Sequence, residues 1–258
     1  MNTFKGSTAL VTGATAGIGY AIALELARQG ADVIVHGRNA ERGAKAVRQI
    51  ENAGGTARFV AADLSDAGDV RRLATEAAEV DILVNNAGVY EFASTFVTDD
   101  ADFDSHFDIN LRAPYVLVQK LVPGMIERGR GSVVNISTVA ASTPSAEAGL
   151  YGASKAALDL LTKLWADEFG AAGVRVNAIA PGPTDTEGTA GLADIVAGLG
   201  RTRALQRTAE PDEIARAVAF IASPAASYIN GVVLPVDGGA VALRPADQAL
   251  VSTASIAE

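Results

Sequence analysis

Thr12-Gly13-Ala14-Thr15-Ala16-Gly17-Ile18-Gly19 follows the short apolar run Ser7–Val11. It opens a stretch of helix-like apolar spacing, Ile18–Gln29, that stops at Gly30. A tight strand-to-helix turn of this kind aims the free N–H groups of the helix's first turn at the crevice beyond the strand. There they and the helix dipole favour an anion such as a pyrophosphate. Gly13 and Gly17 would allow sharp bends and close approach of a phosphate, and Gly19 close packing of helix on sheet. The spacing is G-x-x-x-G-x-G, not the more familiar G-x-G-x-x-G, and a βα turn without a ligand is the alternative at this point.

The same rhythm continues outward. Strand-like runs fall at Val33–His36, Arg58–Ala61, Ile82–Val84, Ser132–Ile136, Val174–Ile179 and Val232–Pro235. Helical spacing fills Ala40–Ala53, a stretch from the N-cap candidate Ser65 to Glu79, Asp102–Arg128, Tyr151–Phe169 and Pro211–Ala222. Pro114 and Pro123 should kink or end parts of the long helical region. Seven strands alternating with helices imply one α/β domain over 1–258, a doubly wound seven-stranded parallel sheet with helices on both faces. Thr184–Gln206, rich in Gly, Ala and Thr, is a candidate mobile helical lid. Arg244–Glu258 is a loose or partner-docking tail.

Composition bounds the function. The 258 residues are 49% hydrophobic and 20% charged, which excludes a disordered chain. With no cysteine there is no disulfide framework, and with only His36 and His106 a metal site would rest almost wholly on carboxylates. A net charge of −9 argues against nucleic acid and anionic membrane surfaces as partners. No run of about 18 apolar residues is present, and the N-terminal stretch lacks a signal peptide's apolar region, so a cytoplasmic protein is expected.

Several motifs stand in one order along the chain: the glycine-rich turn, Asn85-Asn86-Ala87-Gly88, Asn110, Tyr151-Gly152-Ala153-Ser154-Lys155, Pro181-Gly182 and Asp237-Gly238-Gly239. In this register the chain, from about Lys5 to Ala242, resembles the short-chain dehydrogenase/reductase family. That implies a Rossmann-like fold and hydride transfer between a nicotinamide and a carbonyl or secondary alcohol carbon. It also implies a small-molecule substrate and a homotetramer packed through helices at 102–128 and 151–169. The resemblance places the cofactor on Gly13, Thr15, Ala16, Gly17, Ile18, Gly19, Asp63, Leu64, Asn86, Ala87, Gly88, Tyr151, Lys155, Pro181, Gly182, Thr184 and Thr186.

The cofactor type is read from the residues. Dinucleotide folds that select NAD(H) place an acid at the end of the second strand, about 20 residues past the glycines. This chain has His36-Gly37-Arg38-Asn39 there, and Arg38 could hold a 2′-phosphate in fork geometry. NADP(H) is favoured over NAD(H), the alternative being that Arg38 is a solvated surface residue. Asp63 could instead cap the next helix.

Tyr151 and Lys155, four apart on a helix, share a face. An ammonium near a phenol favours the phenolate, so Tyr151 could serve as general acid/base. The resemblance gives Lys155 the nicotinamide ribose and Asn110 a water leading from Lys155 to solvent; a helix-interior amide filling a polar gap is the alternative for Asn110. The serine that the family places thirteen positions before its tyrosine falls on Thr138, with Ser137 just before it. A hydroxyl is all the role requires, and Thr138 is favoured over Ser137. Tyr90 and Phe92 are candidate apolar pocket walls, and Arg201 and Arg203 candidate contacts for an anionic substrate tail. Two other functions fit the same motifs: a cofactor-binding regulatory protein with little catalysis, and an epimerase or dehydratase on the same scaffold.

Overall fold

The computed structural model describes residues 2–144 and 147–240. The tail at 244–258 and residues 145–146 of the loop 140–150 lie outside the described residues. Seven strands form one sheet: β1 (Thr8–Val11), β2 (Asp32–Gly37), β3 (Thr56–Ala61), β4 (Ile82–Asn85), β5 (Gly131–Ile136), β6 (Val174–Pro181) and β7 (Val233–Val236). All neighbours pair in parallel, in the order β3-β2-β1-β4-β5-β6-β7, with Leu10 set between Ile34 and Leu83. The order of strands reverses between β1 and β4, so the glycine-rich turn and Asn85–Gly88 flank the switch-point crevice where open α/β sheets bind ligands.

The helices are α1 (Gly17–Arg28), α2 (Ala40–Asn52), α3 (Ala67–Ala77), α4 (Asp100–Phe107), α5 (Ala113–Glu127), α6 (Gly149–Gly170), α7 (Ala193–Arg201) and α8 (Pro211–Ala222). They cover both faces of the sheet. Ile22, Leu26, Ile50, Ile214 and Val218 of α1, α2 and α8 pack on one face; Leu73, Leu117, Leu121, Leu158 and Trp165 of α3, α5 and α6 pack on the other. Strand residues such as Val11 and Leu10 alternate between these two cores, which is why the strands read as unbroken apolar runs. Within the sheet's C-terminal half, Asn85 Nδ2 donates to Asn135 Oδ1 (2.8 Å) and Asn135 Nδ2 to Thr162 Oγ1 (2.8 Å), a buried polar ladder that locks β4, β5 and α6 together.

Two expectations need correction. Asp66, not Ser65, caps α3, its carboxylate accepting the Asp69 N–H; Ser65 turns back to give its own N–H and hydroxyl to Asp63. Pro123 lies inside α5 without ending it, because in the final turn only the single bond to the Gln119 carbonyl is lost. The long helical region does break near Pro114: a π-helical turn at Asp108–Arg112, centred on Asn110, ends just before α5, which carries Pro114 in its first turn. The segment Thr184–Gln206 is helical as expected, with a 3₁₀ turn at Glu187–Leu192 leading into α7.

Candidate active site

The helix that opens on the crevice differs from α2, α3 and α4 at its start. Asn39, Asp66 and Asp99 cap α2, α3 and α4 with their side chains, whereas Ala16 at the start of α1 supplies no cap. The first N–H groups of α1 therefore face the crevice with no side chain to satisfy them, an arrangement that suits a phosphate. Gly17, at φ +55, lets the chain enter the helix there, with Thr186 across the gap.

Gly13, at φ +64, makes a sharp bend, and Gly19 lets α1 lie close against the ends of β1 and β4. A Cβ on Gly13 would lie 2.9 Å from Ala87 Cα, and one on Gly19 would collide with the Gly13 carbonyl and the Asn86 amide. Both are glycine so that the Asn86–Ala87 segment can close on the turn. Asn86 Nδ2 donates to Thr12 O (2.8 Å), and the Thr12 hydroxyl accepts the N–H groups of Asn86 and Ala87. Sequence reading missed Thr12; nothing in its neighbourhood separates it from an ordinary strand threonine.

His36 was also missed as a site residue. Its ring is buried (2% exposed), with Nδ1 accepting the Gly13 N–H (3.2 Å) and Nε2 donating to Ala62 O (3.2 Å). Burial pushes its pKa down to about 4, although Asp63 and Asp69 favour the cation. The folded value lies below the unfolded one, so the neutral ring's contribution to stability is complete above pH 6.5 and is lost as pH falls through 4. Denaturant titrations at pH 7 and pH 4 should show an acid-induced loss in the wild type larger by about 3 kcal/mol than in His36→Asn. Equal losses in the two proteins would contradict this.

Arg38 is exposed just past β2, close enough to Asp63 to depress that carboxyl's pKa. Asp63 is held chiefly by Ser65, and its N–H is bound to Asp69 (2.8 Å). Leu64 is a core side chain, so only its backbone is free to meet a ligand.

On the other side of the crevice, α6 carries Tyr151 and Lys155 on one face. The Tyr151 ring meets Tyr90 and Phe92 edge-on, with centroids 6.4 and 6.1 Å away. Burial in this cage raises the phenol's pKa, partly opposed by a hydrogen bond from Thr138. The sequence suggested that Lys155 would lower it; in this structure burial dominates. Lys155 is buried (3% exposed), donates from Nζ to Ile136 O (2.8 Å) and is brought to about 8 by burial, with Asp159 acting in the opposite direction. Its ammonium lies beside Gly88, where a Cβ would be 3.3 Å away and would also press on Asn110 Oδ1.

Thr138 and Ser137 diverge. Thr138 Oγ1 accepts the Ala140 N–H (3.2 Å), and Thr138 is the neighbour that opposes the rise in the Tyr151 pKa. Ser137 is buried on the side of Asp159, one turn beyond Lys155, without a close hydrogen bond. Asn110 is fully buried and clasps Val89 through both ends of its amide, Oδ1 accepting the N–H and Nδ2 donating to the carbonyl (2.9 Å each), with a further bond to Ser154 Oγ (3.0 Å). Ser154, unremarked in the sequence, links Asn110 to the Tyr151 carbonyl (2.8 Å).

Pro181 ends β6, and Gly182 leaves room for Asp237. Thr184 Oγ1 donates to Gly182 O, while the Thr186 hydroxyl caps the 3₁₀ turn by accepting the Thr189 N–H. A cleft of about 760 Å³ opens between α1, Thr186 and the start of α8, touching Gly17 but not Tyr151. Arg203 Nε donates to Leu199 O, and its side chain packs over Gly238. Among the described residues no group of three or more His, Cys, Asp or Glu side chains could hold a metal ion, and no helix is long and apolar enough to cross a membrane.

Comparison with known proteins agrees with this geometry. A family model described as enoyl-(acyl carrier protein) reductase matches residues 13–241. The chain is 38% identical to the cis-4-hydroxycyclohexanecarboxylate dehydrogenase of Sinomonas cyclohexanicum, over 93% of this chain and 98% of that one. A solved short chain dehydrogenase/reductase family protein superposes with a TM-score of 0.88 at 51% identity, covering 93% of this chain and 100% of that one. A 3-oxoacyl (acyl-carrier-protein) reductase from Agrobacterium tumefaciens C58, solved with NADP bound, gives 0.88 at 34% identity, covering 92% and 95%. The uncapped helix at the switch point, the Tyr151–Lys155 pair and these likenesses converge on one conclusion: the chain belongs to the short-chain dehydrogenase/reductase family of oxidoreductases.

Proposed function

We propose that the protein is an NADP(H)-dependent oxidoreductase acting on a ketone or 3-oxoacyl carbonyl and the corresponding secondary alcohol, with Tyr151 as general acid/base. The observation that carries this reading is the half-buried Tyr151 phenol, edge-on to Tyr90 and Phe92 and one helical turn from the buried Lys155 ammonium. The residues fit a dinucleotide: the uncapped α1 terminus suits the pyrophosphate, Asn86–Gly88 the close-packed ribose side, Pro181–Thr186 the nicotinamide side, and Arg38 a 2′-phosphate with no acid at the end of β2 to repel it. When bound, NADPH supplies the hydride.

The chain's own groups handle the proton. A phenol held above its ordinary pKa is loaded at neutral pH to protonate a carbonyl oxygen. Thr138 donates a hydrogen bond from its hydroxyl to the same oxygen as negative charge grows there, keeping its own proton. Lys155, still largely charged at pH 7, stabilises the phenolate left behind. Tyr90 and Phe92 exclude water from the reacting oxygen and furnish apolar walls for the substrate. Exposed Tyr115, Leu160 and Leu164 on α5 and α6 support assembly as a homotetramer through these helices, so gel filtration should give about four times the chain mass.

The test is a panel of ring ketones and 3-oxoacyl thioesters incubated with NADPH deuterated at the nicotinamide C4. Alcohol product carrying deuterium on its carbinol carbon is expected. Bound but unconsumed NADPH across the panel would overturn the reading.

A further inference from the structure

His36 is the last residue but one of β2, and it holds three pieces of the crevice at once. Its carbonyl accepts the Ala14 N–H (2.8 Å) and its Nδ1 the Gly13 N–H (3.2 Å), so one residue fixes two consecutive amides of the glycine-rich turn. Its Nε2 reaches Ala62 O (3.2 Å), immediately before Asp63. The partners determine the tautomer: a backbone N–H can only donate and a carbonyl can only accept, so Nδ1 is bare and Nε2 carries the proton. With Gly13 and Ala14 turned toward His36, the amides left to face an anion are those at the uncapped start of α1.

Resting on the NADP(H) reading, we propose that His36 is a cofactor-positioning residue, whose bare Nδ1 sets the glycine-rich turn in the shape that presents α1's amides to the pyrophosphate. Its second bond joins that turn to the Ala62–Leu64 segment on the adenosine side. The residue does not touch the cofactor; it acts through Gly13.

Two substitutions separate the bonds. His36→Asn keeps an acceptor where Nδ1 stands and loses the reach to Ala62; His36→Gln keeps a donor toward Ala62 and removes the acceptor from Gly13. The expected result is an NADPH dissociation constant raised about tenfold in His36→Gln and within about threefold of wild type in His36→Asn. The kcat at saturating NADPH should be unchanged in both. A purely structural histidine would lower Tm in both and move neither constant, and that result would overturn the inference. Should His36→Gln not fold, ¹⁵N NMR of the wild type decides, since only His36 and His106 contribute ring signals. A bare Nδ1 and a protonated Nε2 on His36, kept when NADPH is added, support the inference; the opposite tautomer overturns it. If the wild type itself binds no NADPH, the cofactor reading fails and this inference with it, whereas tight wild-type binding with indifferent variants removes this inference alone.

Discussion

Replacing Tyr151 by Phe should lower kcat about 10³-fold while leaving the NADPH dissociation constant within about twofold of wild type. The substitution removes one oxygen from a ring packed between Tyr90 and Phe92, so the cage is retained and only the proton is lost. Steady-state rates with any reducible ketone, together with a fluorescence titration of NADPH, measure the two quantities separately. Full activity in Tyr151→Phe would mean that another group supplies the proton. Thr138→Ser retains the hydroxyl, and a near wild-type rate there is the matching control. Ser137 offers no substitute, because its hydroxyl lies on the Asp159 side of the strand end.

Gly19→Ala is expected to be the most damaging single methyl in the crevice. The added Cβ would collide with the backbone oxygen of Gly13 and with the Asn86 amide that ties β4 to the turn. Backbone cannot step aside as a flexible side chain can, so the turn must open. The cost should reach about 3 kcal/mol of stability, the upper part of the range for overpacking. NADPH binding should fall with it, because the turn's shape presents the first amides of α1. Denaturant midpoints and NADPH titrations on the purified variant check both effects. Wild-type affinity in Gly19→Ala would show that the turn's closure on Asn86 is irrelevant to the cofactor.

The architecture was legible because its signals are local. Apolar runs alternating with helical spacing foretold seven parallel strands, and Gly30, at φ +97, closes α1 where the pattern stops. That Tyr151 and Lys155 share a face of α6 was legible for the same reason, since residues four apart on a helix lie on one side. What escaped depends on contacts between distant segments. The Asn110 amide, in the π-helical turn, clasps Val89, twenty-one positions away, and no periodicity announces that. His36 and Thr12 look like strand residues until the fold brings Gly13, Ala62 and Asn86 to them. Gly13 was recognised for its bend and Gly19 for close packing of the helix; that Ala87 and Asn86 are the groups closing on them depends on contacts across the fold. The effect of Lys155 on Tyr151 was misjudged because spacing along a helix says nothing of how dry the phenol's cage is.

The central claim is that the crevice holds NADP(H) through Arg38 and the start of α1. It is tested most directly by titrating wild type and Arg38→Ala in parallel with NADPH and NADH, followed by nicotinamide fluorescence. Loss of a charge-assisted contact to the 2′-phosphate should weaken NADPH binding at least about tenfold and leave NADH binding unchanged, so that the wild type's preference for NADPH disappears in the variant. Equal affinity of the wild type for the two cofactors, or a preference for NADPH that survives the loss of Arg38, would contradict the account.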